Sequence, residues 1–143
     1  MTTDPSTEWI TALQSATGAI RASDPTDLRA LRSGVGLALD ATSAAVGADI
    51  WAALRWIAIS ELVCAVADDL HRIPGPDLVA VPAVPDPPMP DAGASYVALQ
   101  DLWAAIHDGL RGFMIASDDH TSVFCAAITA RSALRLIEAG AQP

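Results

Sequence analysis

The sequence predicts an all-α protein, a bundle of five helices built from two antiparallel helical hairpins and an N-terminal helix. Hydrophobic residues make up 52% of its 143 residues, and much of this share is alanine, a strong helix former. Apolar residues recur at spacings of three and four along five segments, which is typical of amphipathic helices. The length corresponds to about one domain, so we expect a single helical domain over residues 1–143.

Helix 1 is predicted over residues 5–22. Asp4 provides an N-cap and Pro5 occupies the first turn, where proline is well tolerated. Its apolar residues share one side of the helix: Trp9, Leu13, Ala16 and Ile20.

Asp24-Pro25 repeats the same start signal for helix 2, and Gly47 marks its end. Gly34 and Gly36 lie inside this helix, where glycine lowers helix stability. We therefore expect a neighbouring helix to approach closely at both glycines.

Helix 3 is predicted over residues 50–72, with Asp49 as its cap. It is apolar on nearly all sides, which is typical of a central helix with neighbours all round. Cys64 of this helix and Cys125 of helix 5 both lie in apolar patterns, so we expect both to be buried, free thiols.

Residues 73–94 are predicted to form a long proline-rich loop between helices 3 and 4. Seven of the ten prolines lie between Pro74 and Pro90, which excludes a helix there. The loop also carries valine, leucine and methionine, so it is expected to pack back onto the bundle.

Ser95 is the predicted cap of helix 4 (residues 96–116), and Asp118-Asp119 that of helix 5 (residues 120–139). The short connection predicts an antiparallel hairpin, and we expect helices 2 and 3 to form another. The side of helix 5 expected to face inward comprises Val123, Phe124, Ala127, Ala130, Leu134 and Ile137.

The charge composition excludes several classes of partner. The net charge is −9, and an acidic surface disfavours binding to nucleic acids and to anionic membranes. The N-terminus has neither the basic nor the apolar region of a secretion signal, and the most apolar stretch contains Arg55 and Glu61. We therefore expect a cytoplasmic protein that does not insert into membranes.

Two residues are the best candidates for catalysis. Glu61 belongs to the apolar helix 3, and a carboxylate in apolar surroundings can act as an acid or base near neutrality. His107 lies beside the apolar stripe of helix 4 and is the second candidate. A solvated edge or a structural ion pair is the alternative for Glu61.

Asp68 shares a side of helix 3 with Glu61 and Arg72, and His71, three residues after Asp68, can meet it. Asp68 and His71 are predicted to contact a ligand. Their spacing matches one half of a di-iron site, but the chain has no second such pair, so we predict neither a metal nor a cofactor.

The excess of apolar residues leads to two functional hypotheses. Five short helices cannot easily bury four tryptophans together with an apolar central helix. The first hypothesis is an apolar cavity that binds a small hydrophobic molecule, lined by Trp51, Trp56 and Trp103 and covered by the proline-rich loop. Whether such a protein is an enzyme stays open. The alternative is a non-catalytic, homodimeric protein–protein interaction module, because homodimer interfaces resemble a divided core.

Overall fold

A computed structural model describes the backbone of residues 5–48, 53–74 and 92–141, and the side chains of residues 8–45, 54–74 and 95–140. These ranges contain five helices and no strand: α1 (Pro5–Ala22), α2 (Arg29–Ala48), α3 (Ala53–His71), α4 (Ala92–Ala116) and α5 (His120–Ala141). The helices pack against one another, so the predicted all-helical class is confirmed.

Four of the helices form a ring in the order α2, α3, α5, α4, since α4 also contacts α2. The fifth helix, α1, packs against α2 and α4, and within the described ranges it contacts neither α3 nor α5. One side of the ring is therefore covered by a fifth helix, whereas the opposite side is not.

We call the side where α1 packs onto α2 and α4 the covered face. Ile20 of α1 lies there against Gly34 of α2 and Gly109 of α4. The predicted close approach at Gly34 is confirmed, because an added Cβ would lie 2.8 Å from Ile20 Cδ1. The same expectation for Gly36 is wrong, since a Cβ there would meet no atom within 4 Å.

We call the outward surface of α3 and α5 the uncovered face. Its residues are Leu54, Ala58, Glu61, Ala65, Asp68 and Arg72 of α3, and Phe124, Ile128, Arg131, Arg135 and Glu138 of α5.

Every helix contributes large side chains to one continuous core. The largest fully buried residues are Trp9, Leu13, Leu37, Ile59, Val63, Leu99, Leu102, Trp103, Leu110 and Leu136, together with Ile73 just after α3. Burying one such side chain contributes about 1.5–3 kcal/mol before conformational entropy is subtracted. Among the described helices, none has both the length and the apolarity needed to cross a bilayer.

The start of α2 differs from the prediction. Asp24 does not begin the helix, because its carboxylate accepts hydrogen bonds from the backbone N–H (2.8 Å) and hydroxyl (2.6 Å) of Thr26 and so closes a separate turn. Asp27 is the capping residue, since its Oδ1 accepts a hydrogen bond of 3.0 Å from the N–H of Arg29.

The predicted cap of α4 is wrong, and that of α5 is confirmed. Ser95 lies inside α4, which begins at Ala92, and it is fully buried. Asp119 precedes α5 and accepts a hydrogen bond of 2.6 Å from the Ser122 hydroxyl. Asp49 lies outside the described residues.

The predicted central position of α3 is wrong. Within the described ranges its backbone lies against α2 and α5 alone, only side chains near its start reach α4, and its outward side is exposed to solvent. Trp56 and Ile59 are buried, whereas Leu54 on the other side is 83% exposed. Cys64 is exposed as well, so its expected burial is also wrong, whereas Cys125 is half-buried and both thiols are free.

The inward side of α5 also differs from the prediction. Phe124 is 67% exposed, and Leu134 is exposed too. The buried residues of this helix are mostly small: Ser122, Ala126, Thr129, Ala130, Ala133 and Leu136. Small residues allow α5 to approach α4 closely, as Gly140 shows, where an added Cβ would lie 2.8 Å from Cζ3 of Trp103.

Candidate functional site

Two of the three tryptophans predicted to line a cavity belong to an aromatic cluster in the core. Tyr96 of α4 lies between Trp56 and Trp103, with ring centroids 5.6 Å and 6.1 Å away and both pairs in edge-to-face orientation. Both indoles are buried, so they contribute to packing between helices. Trp51, the third predicted lining residue, lies outside the described residues.

Polar contacts join this cluster to the end of α5. The Tyr96 hydroxyl donates a hydrogen bond to the carbonyl of Gly140, and Gln100 Nε2 donates to the same oxygen at 3.2 Å. Arg55 of α3 donates to the Tyr96 hydroxyl at 3.1 Å, with its guanidinium 5.5 Å from the ring centroid. Carbonyls at a helix end need such partners, so these contacts stabilise the bundle. The sequence analysis did not identify Tyr96, because a single tyrosine in an apolar stripe carries no distinct signal.

Glu61 and Asp68 lie on the same side of α3, as their spacing predicts. Both are exposed, and together with Ser43 of α2 they line an open groove of about 520 Å³. Apolar atoms enter the groove from Ile57 and Ala65. The burial that motivated Glu61 as an acid–base group is therefore not found. His71, the last residue of α3, is exposed and is not among the residues that line the groove.

His107 is half-buried on α4, and its Nδ1 lies 3.8 Å from Oδ1 of Asp108. Within the described ranges the backbones of α3 and α4 do not lie against each other, because α2 and α5 come between them around the ring, and only side chains near the start of α3 reach α4. Glu61 points outward from α3, so the structure does not bring the two predicted catalytic residues together.

Two further hollows are lined by charged residues that already have partners. In the first, of about 260 Å³, Arg21 contacts Asp108 at 3.4 Å. In the second, of about 370 Å³, Arg32 donates a hydrogen bond of 2.7 Å to the carbonyl of Ile73. These side chains connect helix ends. Over the described residues, no three His, Cys, Asp or Glu side chains are grouped so that they could hold a metal ion.

The uncovered face combines exposed apolar residues with charges that have no partner. Leu54, Phe124 and Ile128 are its exposed large apolar side chains. Five of its charged residues form no ion pair within the described ranges: Glu61, Asp68, Arg131, Arg135 and Glu138. Sequence reasoning missed this surface because it placed Phe124 in the core and α3 at the centre.

Comparison with known proteins adds no family to this description. The chain matches no protein-family model, no curated protein and no solved structure.

Proposed function

We propose that this chain is a non-catalytic protein–protein interaction module that acts as a homodimer, with the uncovered face as its interface. The observation that carries the proposal is the exposure of Leu54, Phe124 and Ile128 on the side of the ring opposite α1. Large apolar side chains exposed on one surface are typical of interaction sites.

The size of the uncovered face supports a dimer of modest affinity. With 19 residues, α3 is about 28 Å long at 1.5 Å per residue. Two adjacent helices about 10 Å apart present a strip about 20 Å wide. Such a strip offers about 550 Å² per subunit, or about 1,100 Å² in total, near the lower end of specific interfaces.

The proposal includes the predicted arrangement of two antiparallel hairpins, α2 with α3 and α4 with α5. The hydrogen bond from Tyr96, near the start of α4, to Gly140, near the end of α5, supports this arrangement for the second pair. Each hairpin contributes one helix to the uncovered face, so this surface depends on both.

The test is sedimentation equilibrium over a wide range of protein concentration, with Phe124→Ser and Ile115→Ser compared with the unmodified chain. Ile115 is 86% exposed but lies on α4, outside the uncovered face, which makes it a matched control. We expect Phe124→Ser to weaken dimerisation about fivefold, as for an apolar residue at the edge of an interface, and Ile115→Ser to leave it unchanged. A chain that stays monomeric at every concentration would overturn the proposal.

The groove between α2 and α3 supports a second candidate function, the binding of a small hydrophobic molecule. Its volume of about 520 Å³ lies within the range of about 300–1,000 Å³ for ligand sites, and Glu61 and Asp68 line it. The groove is open rather than enclosed, so we rank this function second. Fluorescence of the apolar probe anilinonaphthalene sulfonate tests it: Ala65→Trp, which fills the groove, should abolish probe binding, whereas Ile115→Ser should not.

A further inference from the structure

The two helices of the uncovered face can be aligned with each other. The Ser132 hydroxyl donates a hydrogen bond of 2.7 Å to Oδ2 of Asp69, so residue 132 of α5 lies level with residue 69 of α3. Arg55, near the start of α3, meets the end of α5 through Tyr96, so the two helices run in opposite directions. Counting away from the hydrogen bond then gives the relative height of every residue on this face.

This alignment separates the charges into an acidic end and a basic end. Glu61 is eight residues before Asp69 and lies level with residue 140, eight after Ser132, which places it near Glu138. Arg72 lies level with residue 129, close to Arg131. Glu61 and Glu138 therefore form one end of the face, and Arg131 and Arg72, the latter 3.8 Å from Asp69 of its own helix, form the other.

Asp68 and Arg135, of opposite charge, lie in the middle of the face, with Arg135 level with residue 66 of α3 and close to the midpoint between the two ends. Leu54 precedes the acidic end and lies beyond the last residue of α5, whereas Phe124 lies beyond the last residue of α3 on the side of the basic end. Each end of the face thus carries one projecting apolar side chain.

We propose that the uncovered face binds the same face of a second copy of the chain, turned end for end. The two-fold axis of this dimer lies in the plane of the interface and runs perpendicular to the helices. This inference rests on the proposed homodimer. The reversal places Glu61 beside Arg72 of the partner subunit and Glu138 beside Arg131 of the partner subunit. It also places Phe124 at about the same height as Leu54 of the partner subunit, which lies on the neighbouring helix.

The charges distinguish this orientation from the other two-fold arrangement. An axis parallel to the helices would keep each end at the same height. Glu61 would then face Glu138 of the partner subunit, and Arg72 would face Arg131 of the partner subunit. Like charges in contact disfavour an arrangement, whereas opposite charges select orientation and register. The reversed dimer brings Arg135 close to Arg135 of the partner subunit at the axis, but it converts both ends from repulsion to attraction, and each contact at the ends occurs twice by symmetry.

The test uses Glu61→Arg and Arg72→Glu, measured separately and as an equimolar mixture by sedimentation equilibrium. In each variant alone, the reversed dimer contains two pairs of like charges. We expect each variant to self-associate about tenfold more weakly than the unmodified chain.

The mixture allows a heterodimer in which both contacts are attractive again. At one contact, the arginine introduced in one subunit meets the glutamate introduced in the other. At the symmetry-related contact, the unchanged Glu61 of one subunit meets the unchanged Arg72 of the other. Affinity in the mixture should therefore return to within about threefold of the original.

Arg111→Glu is the control, because Arg111 is an exposed residue of α4 outside the uncovered face, and its dimer affinity should not change. Circular dichroism establishes that each variant is folded before its association is measured. If the unmodified chain dimerises and Phe124→Ser weakens the dimer, but the mixture fails to restore affinity, the reversed pairing is overturned while the proposed function stands. An unmodified chain that is monomeric overturns the proposed function itself.

Discussion

The covered and uncovered faces lie on opposite sides of the same ring of helices, yet large apolar residues are buried on the first and exposed on the second. On the covered face, Trp9, Leu13 and Ile20 of α1 are buried against α2 and α4. On the uncovered face, Leu54 and Phe124 are mostly exposed. The difference is the presence of a fifth helix on one side. Residue type alone therefore does not determine burial in this chain, because burial also depends on whether another helix packs against the residue.

The largest expected effect compares one leucine from each face. Leu13→Ala removes a fully buried side chain and should lower the free energy of unfolding by about 3 kcal/mol, through lost burial and the cavity left behind. Leu54→Ala removes an exposed side chain and should change it by about 0.5 kcal/mol or less. Urea denaturation at low protein concentration, where the chain is monomeric, measures both.

The same comparison at high protein concentration separates burial within the chain from burial between chains. Association stabilises the folded state by mass action, so Leu54→Ala should then cost more than at low concentration, whereas the cost of Leu13→Ala should not grow. Equal costs for the two leucines in the monomer would contradict the contrast between the faces.

Local signals in the sequence were sufficient to predict those features that depend on a few residues close together in the chain. The span of α1, the inward side that contains Trp9 and Leu13, and the cap at Asp119 follow from spacing and capping chemistry alone. The shared side of Glu61 and Asp68 also follows from helical periodicity.

Other features depend on the order of helices around the ring, which local patterns do not encode. In α3, apolar residues occur on both the inward and the outward side, so periodicity cannot distinguish Trp56 from Leu54. In α5, Phe124, Ile128 and Leu134 point outward and most of the buried side chains are small, with Leu136 as the large exception. The separation of Glu61 from His107 has the same origin, since it follows from which helices are neighbours.

A smaller effect concerns how closely α1 approaches α2. Gly34→Ala would place a Cβ 2.8 Å from Ile20 Cδ1 and 3.4 Å from Leu102 Cδ1, so the α1 contact must shift. Gly36→Ala, two residues along the same helix, meets no atom within 4 Å and should stabilise the chain by about 0.5–1 kcal/mol, because alanine favours a helix more than glycine does. We expect the free energies of unfolding of the two variants to differ by about 1–2 kcal/mol. Equal stabilisation by both substitutions would show that α1 is not closely packed on α2.

The smallest expected effect concerns the connection that leads from α1 into α2 and depends on pH. Hydrogen bonds from the side chain and backbone of Arg29 lower the pKa of Asp27 from 3.8 to about 2. Hydrogen bonds from Thr26 likewise lower the pKa of Asp24. Burial raises the pKa of Asp40, whose contribution has the opposite sign.

Because the pKa of Asp27 is lower in the folded chain, the unfolded chain binds more protons between about pH 4 and pH 2. The contribution of this carboxylate to stability is thus complete above pH 4 and is lost as the pH falls towards 2. Asp27→Asn should be less stable than the unmodified chain at pH 7, and the difference should shrink on acidification, because the amide does not titrate. Asp118→Asn is the control, because the Asp118 side chain forms no hydrogen bond and no ion pair among the described residues. Urea denaturation at a series of pH values measures the difference, and a difference that is constant with pH would mean that the carboxylate of Asp27 does not secure the start of α2.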